Sequence, residues 1–245
     1  PLMVDYREKF SAAGRFPGGF LKRENRPSDG EILVSRLVDR ALRPLFPEDY
    51  HSETQLQISL ISSEGEVLAD SLACLAASAA IAVSDIPFNG PVSEVRVIRK
   101  NGEWIVDPKK SDLAEAEIDL MIAATMESVV MVEGEMKEVS EAEMLEGIKI
   151  AHEAIKKQCQ LQTDLAVLVE KAKHKREYLH EKHDESLLEE IKSFAYDRYY
   201  DIAQKGIADK HQRSSEFRAV KDEFKESLGE EKAKENSFLI SQYFG

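Results

Sequence analysis

Residues 18–31 read "GGFLKRENRPSDGE" and place one aromatic ring and three cations, Phe20, Lys22, Arg23 and Arg26, in a segment that Gly18 and Gly19 free conformationally. Cations neutralise phosphates, and an exposed ring stacks on bases without reading their order. These residue types therefore suit the grip of a single-stranded polyanion. A solvated charged turn with Phe20 tucked into a core satisfies the same pattern. Arg36, Arg40 and Arg43 follow at i, i+4 and i+7 and form a single helical stripe. The stripe either extends the cationic surface or pairs with local acids, since Asp39 lies three residues after Arg36 and four before Arg43.

Other chemistry-bearing residues are less organised. His174, His180 and His183 sit in charged text. His180 and His183 are three apart, but no carboxylate or cysteine arrangement completes a recognised metal site, so a solvated face is expected. Asp5, Asp107, Asp119 and Glu133 fall at strand positions or strand ends, and spacing does not pair them. The sequence holds no P-loop, G-x-G-x-x-G, H-E-x-x-H or G-x-S-x-G pattern. Cys74 and Cys159 have no metal-type spacing partners and read as reduced thiols of a cytoplasmic protein.

Charge is unevenly spread. The chain carries formal net charge −13, yet residues 7–43 hold nine Lys/Arg against five acids. A local cationic stretch in an acidic chain points to a dedicated anion site rather than general nucleic-acid affinity. The run "LACLAASAAIAV" is too short to span a bilayer, nothing resembles a signal peptide, and no membrane association is expected.

The elements that must position these residues follow from periodicity. "LMVDYREKF" alternates as a strand, and Ser28 with Glu31 forms the S-x-x-E capping box of a helix that stops at Pro44. Ile32, Leu33, Leu37 and Ala41 are its expected core face. "TQLQISLISS" reads as a half-buried strand, and residues 66–84 as a helix apolar nearly all round and therefore buried. "SEVRVIRKNGEWIVD" is a hairpin around Asn101-Gly102, and "IDLMIAATMESVVMVEGE" gives two strands turning near Glu127 and Ser128. Ser140 and Glu143 open another helix, and everything after about residue 163 reads as amphipathic helix. The expectation is an α+β domain over residues 1–163 and a small all-helical domain over 164–245. The chain starts without Met and directly in a strand pattern, so it reads as a segment of a longer polypeptide.

The run "AAGRFPGGFLKRENRPSDGEILVSRLVDRALRPLFPEDY", with "SDIPFNGPVSEVRV" and "IDLMIAATMESVVMVEGEMKEVSEAEMLEGIKIAHEAI", closely resembles the first core domain of the bacterial polynucleotide phosphorylase family. The resemblance is strong over about residues 1–160, and the helical remainder fits the linker domain that follows in that family. It implies an RNase PH-like fold, a mixed sheet with packed helices, lacking its N-terminal strands. It further implies a phosphorolytic 3′→5′ exoribonuclease of mRNA degradation. The family's two core domains flank the helical one, KH and OB-fold modules follow, and three chains form a ring. Inorganic phosphate is the co-substrate, and Mg2+ belongs to the second core domain, outside this chain. Single-stranded RNA is the implied partner, with a helicase or endonuclease as further partners.

Carried over residue by residue, the resemblance assigns RNA contact at a channel constriction to Phe20, Leu21, Lys22 and Arg23, with Arg26 just beyond and the Arg36, Arg40, Arg43 stripe continuing the patch. Leu21 replaces a second aromatic and Lys22 an arginine, which weakens stacking and bidentate phosphate contact. Asn25 stands where the family usually has Gly. At the family's serine-rich phosphate turn this chain has "SSEGEVLAD", with Glu66, Val67 and Leu68 in the serine positions. At its carboxylate pair, counted back from Asp119, stand Glu117 and Ser111. Phosphorolysis needs donors that orient the anionic nucleophile and a cation at the leaving oxygen. The expectation is a non-catalytic half that guides RNA and builds the ring. The alternatives are a scaffold subunit that never had activity, and a helical domain that docks a protein partner.

Overall fold

The computed structural model describes residues 2–14, 26–180 and 183–245. It divides into two compact units, residues 1–180 and 181–245. In the first, β1 (Leu2–Glu8) pairs in parallel with β2 (Thr54–Leu60), from Leu2 opposite Thr54 to Glu8 opposite Leu60. Parallel neighbours need a crossover, and α1 (Asp29–Leu42) supplies it. Leu2, Val4 and Tyr6 alternate inward with Leu56, Ile58 and Leu60, and α1 covers them through Val34, Leu37, Val38, Ala41 and Leu42. Leu37 and Ala41 are core residues as expected, whereas Ile32 and Leu33 are 45% and 55% exposed. Ile32 shares the outward arc of Arg36, four residues on, and Leu33 lines a cleft of about 290 Å³ beside Glu133 and Glu135 instead of packing.

The remaining strands form a separate antiparallel sheet in the order β4-β3-β5-β6: β3 (Ser93–Lys100), β4 (Glu103–Val106), β5 (Ile118–Ala124) and β6 (Val129–Met136). The fold is α+β, with the parallel and antiparallel strands partitioned into two sheets. The hairpin at Asn101-Gly102 forms as expected, with both residues at positive φ, 53° and 79°, which matches the twist of the flanking strands. Strand alternation then sorts β5 between two cores. Ile118, Leu120, Ile122 and Ala124 face α3 (Glu141–Val167), while Met121 and Ala123 join the core beneath α1 and α2 (Asp70–Ala82). α2 is buried along one side, through Ala73, Cys74, Ala77 and Ile81, and leaves Leu72 half exposed. It is therefore an edge of the core rather than a helix enclosed all round. Both cysteines are free and buried.

The two compact units divide at residue 180. α3 runs through residue 163 to Val167, and the chain beyond it is not continuous helix. A 3-10 turn at Glu170–Lys173 leads into an extended strap that is bonded back onto the first unit. Arg176 donates its backbone N–H to the Asp85 carbonyl at 2.7 Å and its guanidinium to the Asp85 carboxylate at 2.6 Å. The Tyr178 hydroxyl and His180 Nδ1 both meet the Asp49 carboxylate, at 2.8 and 2.6 Å. These tertiary bonds outweigh the helical composition of the segment.

The second unit consists of α4 (Glu185–Gln204), α5 (Lys210–Leu228), α6 (Glu230–Glu235) and α7 (Ser237–Tyr243). Leu187, Ile191, Phe224 and Ile240 fill its centre, with Ala195, Ile202 and Val220 beside them. Asp184 and Asp209 cap α4 and α5. Among the described residues, no helix is long and apolar enough to cross a membrane.

Candidate nucleic-acid interface

The expected capping box is present at the start of α1. Ser28 Oγ accepts the Glu31 N–H at 3.2 Å, and Glu31 Oε2 accepts the Ser28 N–H at 2.6 Å. Sequence spacing did not reveal the third bond: Glu31 Oε1 accepts the backbone N–H of Glu8, the last residue of β1, at 2.7 Å. Glu31 is only 9% exposed. Burial pushes its carboxyl pKa upward, but the Ser28 and Glu8 N–H donors override this and hold it below the usual range. An ionised carboxylate thus sits at the positive end of the helix and joins it to the end of β1. Phe20, Lys22 and Arg23 lie outside the described residues. Arg26, which follows them, is exposed.

The arginine stripe is present on the exposed side of α1 and splits between its two readings. Arg43 bonds Asp39 in the intrahelical manner, at 2.5 Å, and also donates to the Leu2 carbonyl at 3.0 Å. Arg40 pairs with Glu133 of β6. Arg36 is exposed and has no ion-pair partner among the described residues. Exposed pairs of this type contribute about 0–1 kcal/mol, so their guanidinium groups remain open to exchange for phosphate.

The turn and carboxylate positions singled out in the sequence come together, with their chemistry exchanged. Glu66, at the serine-turn position, accepts the N–H of Ser111, at the carboxylate position, at 3.3 Å. The Glu66 carbonyl accepts from Lys110 at 3.0 Å. Bonds from Ser111 hold the Glu66 carboxyl below its ordinary pKa, so the turn presents a negative charge where an anion would need donors. Glu117 is engaged by Arg99 at 3.0 Å, and Arg99 also reaches Glu143 at 2.5 Å. The Arg99 bond, with help from Ser140, holds Glu143 down at about 2. A serine paired with a glutamate, and a carboxylate already bound to a guanidinium, do not fit a divalent cation.

Sequence reasoning missed the Arg96 bridge. Arg96 of β3 donates to both oxygens of Asp119, at 2.8 and 2.7 Å, and to Asp70 at the start of α2, at 2.8 Å. Asp107 accepts the Arg96 N–H at 3.3 Å and the Ser71 hydroxyl at 3.2 Å. Two residues earlier on β3, Glu94 is 1% exposed and both its carboxylate oxygens lack hydrogen-bond partners. Burial first, and the neighbouring Asp70 second, push its pKa up to about 8, while the Cys74 thiol beside it pulls the other way. The sequence carried a signal for this pair: Glu94 and Arg96, charged residues two apart, share one face of a strand flanked by valines. Of the histidines, His180 is bound to Asp49, with its ring tilted against that of Tyr178. Among the described residues, no group of three or more His, Cys, Asp or Glu could hold a metal ion.

Comparison with known proteins shows which family the sequence resembles. Residues 1–87 match domain 1 of the 3′ exoribonuclease family, and residues 90–154 match domain 2. Across its whole length the chain is similar to polyribonucleotide nucleotidyltransferases: 55% identical to that of Bacteroides fragilis over 244 residues, 54% to that of Porphyromonas gingivalis and 54% to that of Cytophaga hutchinsonii. It spans about a third of the length of each, 34%, 33% and 34% respectively. With both family domains matched in succession over most of the first unit, the chain belongs to the RNase PH-type 3′ exoribonuclease family.

Proposed function

We propose that this chain is the RNA-guiding, non-catalytic part of a phosphorolytic 3′→5′ exoribonuclease. In that reading residues 1–180 are the first core domain and residues 181–245 belong to the helical domain. The whole enzyme uses inorganic phosphate to release nucleoside diphosphates from RNA 3′ ends in cytoplasmic mRNA degradation. Its Mg2+ and reacting groups reside in a second core domain, and three chains assemble into a ring. Phe20, Lys22, Arg23 and Arg26 contact incoming single-stranded RNA, and Arg36, Arg40 and Arg43 extend the cationic track along α1. Arg36 contributes an exposed guanidinium to that track, and Arg40 and Arg43 exchange weak surface pairs for phosphate.

The observation that carries this reading is whole-length similarity to the first third of polyribonucleotide nucleotidyltransferases in a chain whose own turn and carboxylate positions hold Glu66 and Ser111. The test is binding of a fluorescent oligoadenylate across a salt titration. Replacing Lys22, Arg23 and Arg26 together by Ala is expected to weaken binding and lower the salt slope by about two to three. Equal affinities at every salt concentration would reject the guiding role.

A further inference from the structure

We infer that the outward face of α4 is a docking site for an extended, arginine-bearing segment of a partner protein. The inference is independent of the RNA-guiding role proposed above. Within the second unit, Phe194 packs against Phe224, Tyr199 against Phe217 and Phe244, and Phe224 against Phe244. Tyr196 and Tyr200 stay outside that network, 71% and 57% exposed and one turn apart on one face of α4. Among the described residues neither side chain makes a hydrogen bond or a ring contact. Glu190, Asp197 and Asp201 run beside them, all exposed and none ion-paired among the described residues. The two cations of α4 are already engaged, Lys192 by Glu189 at 2.9 Å and Arg198 by Glu223 and the Phe194 ring.

Open rings beside open carboxylates define the chemistry of what would cover them. A guanidinium lies flat on a tyrosine ring while its fork donates to a neighbouring carboxylate, and a compact ammonium does this less well. Tyr196 and Tyr200 stand about 6 Å apart along the helix axis, and side chains on one face of an extended segment recur about every 7 Å. Arginines two residues apart in such a segment therefore meet both rings at once, with Asp197 and Asp201 alongside. The same carboxylates repel phosphate, so the charge of this face selects a basic peptide over a nucleic acid. Both rings are carried by one helix and have few rotatable bonds, which keeps the ordering cost low on this side of the contact.

The experiment uses the whole 245-residue chain, a fluorescent peptide of alternating serine and arginine, and a serine–lysine peptide of equal length and charge. The arginine peptide is expected to bind about fivefold more tightly than the lysine peptide and to slow amide exchange over α4. Tyr196→Ala with Tyr200→Ala should abolish that preference and weaken the arginine peptide about tenfold. Tyr196→Phe with Tyr200→Phe should retain both, because the rings still stack. Asp197→Asn with Asp201→Asn should weaken both peptides and reduce their salt dependence. All four side chains are exposed, so these variants keep the fold. Equal affinity for the two peptides would overturn the inference, as would wild-type affinity in the Tyr→Ala variant. It would also fall if the Tyr→Ala variant lost oligoadenylate binding or lost self-association in sedimentation, since the face would then belong to RNA or to a second copy of this chain.

Discussion

Glu66 and Ser111, separated by the whole of α2 and the β3–β4 hairpin, meet at 3.3 Å through carboxylate and backbone N–H. The hydroxyl and the acid stand on the opposite positions from those that phosphate and metal chemistry would need. Incubated with poly(A), phosphate and Mg2+, the purified chain should therefore release no nucleoside diphosphate above a protein-free control. Chromatography of the products checks this, and a phosphate-dependent rate would contradict it.

Arg96 holds Asp119 and Asp70 together on a partly buried surface. Arg96→Met leaves two carboxylates facing each other without a cation and should cost about 2–4 kcal/mol in urea unfolding at neutral pH. Adding Asp70→Asn and Asp119→Asn should recover most of that loss. A triple variant no more stable than the single one would show that the arginine acts through packing of its stem.

Glu94 predicts an alkaline weakness. Its ordinary value is 4.5 and the folded protein raises it to about 8, so between these limits the unfolded chain has released a proton that the folded chain keeps. Stability contributed at this site is intact below the unfolded value. It falls as pH rises through the window, by up to about 1.4 kcal/mol per pH unit, and levels off above the folded value. Glu94→Gln should flatten that slope, so its stabilising effect relative to wild type should grow from pH 5 to pH 8. Parallel pH profiles of the urea midpoint would disprove it.

The strap is pinned by Asp49 and Asp85. His180 first, then Tyr178, hold Asp49 below the ordinary aspartate pKa, and the Arg176 bond does the same for Asp85. The anchorage is therefore present above the ordinary range and is lost as acid protonates both groups below it. Asp49→Asn with Asp85→Asn should raise hydrogen exchange over residues 171–180 at neutral pH and leave RNA affinity unchanged.

Features set by local chemistry were legible in the sequence. The capping boxes at Ser28 and Ser140 and the hairpin at Asn101-Gly102 depend on residues within a few positions of one another, and all three formed. Glu8 with Glu31, Arg96 with Asp119 and Arg176 with Asp85 are pairings across the fold, and no periodicity encodes them. Ile32 and Leu33 had the right type for a core face, but Ile32 falls on the exposed arc with Arg36 and Leu33 lines an open cleft beside α1. The strap had the composition of a helix, yet its cations and Tyr178 found better partners in two distant aspartates. For the interface itself, the types and spacing of Phe20, Lys22 and Arg23 carry the reading, and the structure adds how the neighbouring backbone is fastened.

Because Glu31 accepts the N–H of Glu8 at the end of β1 as well as that of Ser28 at the head of α1, a single ionised side chain welds a strand terminus to a helix terminus, and the crossover cannot slide along its strand without stripping that carboxylate of a donor.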